Sequence, residues 1–260
     1  MTLAWIGGQT DRIRLMPSVL VVPMRKAVVL AKELATIDVL TGGRVAAGVG
    51  LGWNEHEYRN LAMADRSCAR GAYVDEAILL WRHLGSGEDA PFEGRFHRIE
   101  DAVFVPLPVR GASLPIVVGG RSEHGVRRAS RLGDGYQLSQ NGPAGMAERL
   151  PRLRAAASAA GRAETPGGGV GRRSPGPADL RPGPGLPRAA TARPHSSGDP
   201  CSPEEIASVI DEWAAIRLDE LFLDMDETDA DLAVAKMERL HREVLPSRVE
   251  RWEGGPAIAG

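Results

Sequence analysis

Three short runs carry the groups that could do chemistry. Gly119-Gly120-Arg121-Ser122 stands between an apolar run, Leu114 to Val118, and a stretch of helical periodicity. At a strand-to-helix turn of that kind, backbone N–H groups and the helix dipole converge on one point. An anion placed there gains charge-assisted hydrogen bonds, and Arg121 adds a fixed positive charge. The same run also reads as an ordinary turn with Ser122 capping the helix. Gly48-Val49-Gly50-Leu51-Gly52 closes another apolar run, where glycines let a backbone approach a ligand or simply turn. It fits neither nucleotide fingerprint: no Gly-Lys-Ser/Thr follows, and Trp53 stands where a third glycine belongs. His56, flanked by Glu55 and Glu57, could move a proton. A solvated helix start with acidic residues in its first turn is the plainer account of it.

The other candidates are weaker. His83, His97, His124, His195 and His241 are scattered without metal-ligand spacing, and Cys68 and Cys201 make neither a disulfide framework nor a zinc site. No metal is expected. Asp224-Met225-Asp226-Glu227 could bind a cation, but favours the start of the helix after it more simply. Trp53, Trp81 and Trp213 read as core or pocket wall.

These runs must be held by elements that the hydrophobic pattern outlines. Ile13 to Val22 and Val45 to Val49 read as strands. Between them a helix carries Ala27, Leu30, Leu34 and Ile37 and closes at Gly42-Gly43. A second helix carries Val74, Ala77, Ile78, Trp81 and Leu84 and ends at Gly85. Residues 86–113 form an excursion that turns near Phe92 to Phe96. Leu114 to Val118, Asp134 to Leu138 and Leu221 to Phe222-Leu223 complete about five strands. A helix with Val126, Ala129 and Leu132 ends at Gly133. Ser202-Pro203-Glu204-Glu205 is a capping box that opens another helix, and Ala233 to Val244 closes the chain's pattern. Strands alternating with helices predict a parallel sheet covered by helices, as a barrel or a doubly wound sheet.

Composition narrows the partners. The 260 residues carry 32 Lys+Arg against 34 Asp+Glu, a formal charge of -2, which argues against nucleic acid. With 43% hydrophobic residues the chain can fill a core, yet no run approaches the ~18 apolar residues of a membrane span. Residues 1–8 do not resemble a signal peptide, so a cytoplasmic protein without membrane contact is expected. Only Lys26, Lys32 and Lys236 are lysines, which points to a GC-rich genome. Residues 165–200 hold eight glycines and eight prolines, with Val170, Leu180 and Leu186 as the sole large aliphatics. Such a stretch reads as a disordered, mostly exposed insert with no strand or helix longer than about a turn, leaving a gap in the barrel wall, and its wording resembles an out-of-frame reading of GC-rich DNA.

The run Ala31-Lys32-Glu33-Leu34-Ala35-Thr36-Ile37-Asp38-Val39-Leu40-Thr41-Gly42-Gly43-Arg44-Val45, with Arg12 to Leu15 and Gly48 to Trp53, resembles the bacterial luciferase-like flavin and deazaflavin oxidoreductases. So do Pro115 to Gly120 and Ala129 to Gly135. The likeness covers about residues 1–160 well and 200–246 fairly. It implies a single α/β domain over 1–260, an incomplete (β/α)8 TIM barrel. Against that pattern the chain is expected to be N-terminally truncated, lacking the first two strands, and to lack strand seven within 165–200. The coenzyme implied is the deazaflavin factor 420, with FMN as the alternative, acting by hydride transfer on a small-molecule substrate. The resemblance places Ser18 and Val19, joined by a non-proline cis peptide, behind the coenzyme ring. It places Gly50 and Gly52 beside the ring, and Gly119, Gly120, Arg121 and Ser122 at the phosphate. No catalytic residue is assigned, since Trp53 occupies the position of the glutamate in acid-bearing deazaflavin dehydrogenases. Weak coenzyme binding is expected, and an open sheet edge would allow pairing into a homo-oligomer. Two other functions fit parts of the chain: a non-catalytic remnant of such an enzyme, and a phosphate-binding barrel enzyme of sugar metabolism.

Overall fold

The computed structural model describes residues 1–139, 143–159, 161, 188–192, 203–215, 220–223 and 230–246. In chain order, a short helix α1 (Thr2–Gly8) leads to β1 (Leu20–Val21), α2 (Ala27–Leu40) and β2 (Ala47–Gly50). Then come α3 (Glu55–Asn60), the long α4 (Ala64–Ser86) and a hairpin of β3 (Phe92–Glu93) and β4 (Arg98–Ile99). The remainder is β5 (Ile116–Gly119), α5 (Glu123–Leu132), β6 (Gly135–Ser139), α6 (Pro143–Ala159), β7 (Arg188–Ala192), α7 (Pro203–Ala215), β8 (Glu220–Leu223) and α8 (Ala230–Glu243). β1, β2, β5, β6, β7 and β8 lie side by side in that order, every pair parallel. A helix between successive parallel strands is the (β/α) repeat of a barrel wall. Six strands are described where a closed barrel of this kind has eight.

The expectation that strand seven is missing is overturned. Arg188 to Ala192 pairs with β6 on one side and β8 on the other. Averaged over 36 residues the composition forbids a strand, but pairing is local. Pro187 and Pro194 fall outside these five residues, which contain neither proline nor glycine, so every N–H can bond. The rest of 165–200 lies outside the described residues, as do Cys201, Ser202 and Asp224 to Glu227. α1 and α6 are also absent from the sequence reading. α6 has Pro151 inside it, and Met146, Leu150 and Leu153 are its few large apolar residues among many alanines, which blurs its period.

Helix α2 buries Ala27, Leu30, Ala31, Leu34, Ala35 and Asp38 at helical spacing. Helix α4 lays Val74, Ala77, Ile78, Trp81 and Leu84 on the same core, and Trp81 Nε1 donates to Ala27 O at 2.9 Å. Val45, Val49, Ile116, Val118, Tyr136 and Leu138 supply the sheet's side. Trp81 and Trp213 are core, but Trp53 is 81% exposed.

Polar side chains fasten the N-terminal ends of the strands. Asp38 is buried and accepts from Val45 N at 3.2 Å and Val109 N at 2.9 Å. Arg44, 7% exposed, donates to Thr41 O, Thr10 Oγ1, Ile13 O, Gly7 O and Thr10 O. Part of the run that carries the family likeness, Thr36 to Arg44, therefore builds this end.

Candidate functional site

The opposite end is built around one irregular segment. Leu15 bridges to Val45, whereas Leu20 pairs with Val49 and Val21 with Gly50. Five steps along one chain face four along the other, so the chain must bulge between them. The Ser18-Val19 peptide lies in this bulge and is cis, as the resemblance implies. It precedes β1 rather than ending it.

Three glycines make room for the bulge. A Cβ at Gly48 would collide with the Pro17 carbonyl oxygen, and one at Gly50 with Val19 Cγ2. A Cβ at Gly119 would lie 2.8 Å from Val19 Cγ1. Ser18 and Val19 are exposed, so the bulge is a shelf with its outer side open. Gly50 and Gly119, the last residues of parallel strands β2 and β5, thus lie with Val19 at the C-terminal end of the sheet. Val19 fills the space beside both glycines, which changes their reading from surfaces open to a ligand into seats for the shelf. Gly52 has φ +69°, a left-handed turn that favours glycine, and a Cβ there would lie 2.7 Å from Val21 Cγ1. Tyr58, fully buried, donates its hydroxyl to Leu51 O and fixes this loop.

The second glycine turn is tied to β6. Gly120 N donates to Gln137 O at 3.1 Å, and Tyr136 Oη donates to Gly120 O at 2.8 Å. Burial pushes the Tyr136 phenol up to about 12, so it stays a neutral donor. Ser122 caps α5, its Oγ accepting from Gly125 N at 3.3 Å. Arg121 is exposed, and its carbonyl accepts from Arg149 Nη2 at 3.1 Å. The Gly120 N–H is therefore not among the donors this turn can offer an anion.

Gln137 was not singled out by the sequence. Along β6, Tyr136 and Leu138 face the core, and alternation turns Gln137 to the other side of the sheet. Its side chain is 2% exposed, and Nε2 donates to Ser18 Oγ at 2.5 Å. The only signal available was period two across Gly135 to Ser139. His56 stays apart: it is exposed, at the start of α3 behind the cap Asn54, with Arg59 Nη2 2.8 Å from its Nδ1. A cavity of about 100 Å³ beside the hairpin, lined by Leu84, Ile99, Phe104 and Leu107, includes none of the site residues. Among the described residues no group of His, Cys, Asp and Glu could hold a metal, and no helix is long and apolar enough to cross a membrane.

The description "Luciferase-like monooxygenase" belongs to a family model that matches residues 1–171. An FMNH2-dependent dimethylsulfone monooxygenase of Pseudomonas putida is 31% identical over 158 residues, 59% of this chain and 42% of the relative. An F420-dependent glucose-6-phosphate dehydrogenase of Kineococcus radiotolerans is 31% identical over 165 residues, 62% of this chain and 48% of the relative. The chain spans about half the length of the curated relatives it matches. The crystal structure of monooxygenase RslO1 from Streptomyces bottropensis superposes with a TM-score of 0.74 over 94% of this chain and 81% of that one. At 20% identity that likeness speaks for the fold alone.

Proposed function

This chain belongs to the luciferase-like monooxygenase family, and from there we propose that it is an oxidoreductase holding a flavin-type ring at the C-terminal end of its sheet. The coenzyme we assign is the deazaflavin F420, ahead of FMN, on the wording of Gly48 to Trp53. The carrying observation is the shelf: Ser18 and Val19 stand exposed over a floor of Gly48, Gly50 and Gly119. The residues present suit such a ring, which needs an apolar surface beneath it and donors for its carbonyl oxygens. Val19 offers the first and Ser18 the second. The turn from Gly119 to Ser122, with Arg121 exposed, suits the anionic end of the coenzyme.

When bound, the coenzyme supplies hydride transfer. The chain's own residues orient it. Val19, locked by the glycines on either side, would back the ring, and Ser18 would offer it a hydroxyl. Arg121 contributes positive charge near the turn. A phosphate-sugar enzyme explains the turn but not the shelf, and the family match favours the oxidoreductase. Fluorescence titration with F420 and with FMN tests the reading. Saturable binding, tighter for F420, is the expected result; no saturable binding of either ring would leave the non-catalytic reading standing.

A further inference from the structure

We infer that Gln137 is a positioning residue: it holds the Ser18 hydroxyl so that its proton points out of the protein, toward the ring of the coenzyme. This rests on the proposed coenzyme site and adds to it the group that sets the polarity of the shelf's hydroxyl.

The argument is a count of donors. Gln137 Nε2 can only donate, so in the 2.5 Å contact Ser18 Oγ is the acceptor. A serine hydroxyl has one proton, and with the amide occupying an oxygen lone pair that proton must be directed elsewhere. Ser18 is exposed on the shelf, whereas Gln137 is buried beneath it, so the direction left is outward. The same residue also sets the register of the second site loop. Gln137 pairs with Gly119 across β5 and β6, and its carbonyl receives the Gly120 N–H at 3.1 Å. One buried side chain and its own backbone thus link the shelf to the glycine turn. An oriented donor at that place selects a ligand with a carbonyl acceptor at its edge. Flavin and deazaflavin rings share such a pyrimidinedione edge, so the inference holds for either. Fixing the hydroxyl beforehand removes rotor entropy that binding would otherwise have to oppose.

The test is a double-mutant cycle read by coenzyme affinity and by the visible absorption band of the bound ring. Ser18→Ala and Gln137→Met should each weaken binding about five- to tenfold and shift the band. The double variant should bind no worse than the weaker single one, because both remove the same oriented donor. Gln137→Glu should bind more weakly than Gln137→Met, since a carboxylate accepts the Ser18 proton and withdraws it from the ring. Ser18→Cys lies on the exposed side, keeps the side chain's size, and should match Ser18→Ala even if a Gln137 variant folds poorly. Additive losses, or an unchanged affinity and band in Ser18→Ala and Ser18→Cys, would overturn the inference while leaving the coenzyme site in place. Failure of the unaltered protein to bind either ring removes the site, and the inference with it.

Discussion

The two ends of the parallel sheet are made on opposite principles. At the N-terminal end, charged side chains are sunk into the fold and filled with partners. Asp38 and Arg44 are buried, Arg110 donates to Gly43 O and Val45 O, and Asp134 accepts from Ile116 N and pairs with Arg82. At the C-terminal end side chains are removed instead. Gly48, Gly50 and Gly119 leave spaces, and the shelf that fills them keeps Ser18 and Val19 in the open. Much of the long run that reveals the family, Thr36 to Arg44, is at the first end, while its glycine-rich part, Gly48 to Gly52 with Gly119-Gly120, is at the second beside the exposed shelf. In a (β/α) barrel the N-terminal face reads as stability and the C-terminal face as chemistry.

The hardest way to break this contrast is at Arg44. Arg44→Met should cost about 3 kcal/mol or more in urea unfolding, because several buried carbonyl oxygens lose a charged donor together. Asp38→Asn should cost less, about 2 kcal/mol, since the amide that replaces one oxygen turns a donor against Val45 N or Val109 N. Coenzyme affinity of the folded fraction should stay as it is. A large affinity loss without a stability loss would mean that this end is not merely structural.

The glycines grade the other end. Gly48→Ala should cost about 3 kcal/mol, because its Cβ meets a backbone carbonyl that cannot rotate away. Gly119→Ala meets a methyl of Val19 and should cost about 1 kcal/mol, with Val19→Ala restoring most of it. Gly120→Ala, whose Cβ comes no nearer than 3.4 Å to Gly125 Cα, should fall within about 0.5 kcal/mol of the unaltered protein. Thermal or urea unfolding of the three variants reads the order directly. Equal costs at Gly48 and Gly120 would refute the seating role.

Much of this arrangement is legible in sequence, for reasons that differ by residue. Ser122 as a cap, Gly133 as a helix end and the strand before Gly119 follow from local chemistry, and all three appear in the fold. Gly50 and Gly119 stand out as glycines, but their task does not, because the residue they accommodate is Val19, remote in the chain. Gln137 is silent: one amide in a strand has no spacing to betray it, and its partner Ser18 is 119 positions away. β7 fails for the opposite reason, since a composition averaged over a long segment hides five residues that contain neither proline nor glycine.

A smaller effect comes from the hairpin, which is clasped by a partly buried charge. Glu76 on α4 accepts from Arg95 N at 2.7 Å, from Phe96 N and His97 N at 2.8 Å, and lies 2.9 Å from His97 Nδ1. Burial pushes its carboxyl up, but these hydrogen bonds outweigh burial, and its pKa lies below the ordinary glutamate value. A depressed acid contributes stability that is complete above its unfolded pKa and is lost as pH falls through the folded one. Urea stability of the unaltered protein should therefore decline from about pH 5 to pH 3 more steeply than that of Glu76→Gln. Parallel declines would show that the clasp adds nothing.

The smallest expected effect is at His56, and it sharpens the contrast from the other side. His56 stands at the start of α3 near the C-terminal end of β2, close in sequence to the shelf's glycines, yet its ring meets solvent and the guanidinium of Arg59. An exposed contact of that kind contributes within about 0.5 kcal/mol, because water replaces it and both side chains regain freedom. His56→Gln should thus leave unfolding unchanged within that margin, and coenzyme affinity as well, since nothing ties the imidazole to Ser18, Val19 or Gln137. If affinity falls instead while stability holds, His56 reaches the ligand. The chemical end of the sheet would then extend from the shelf along the loop to α3.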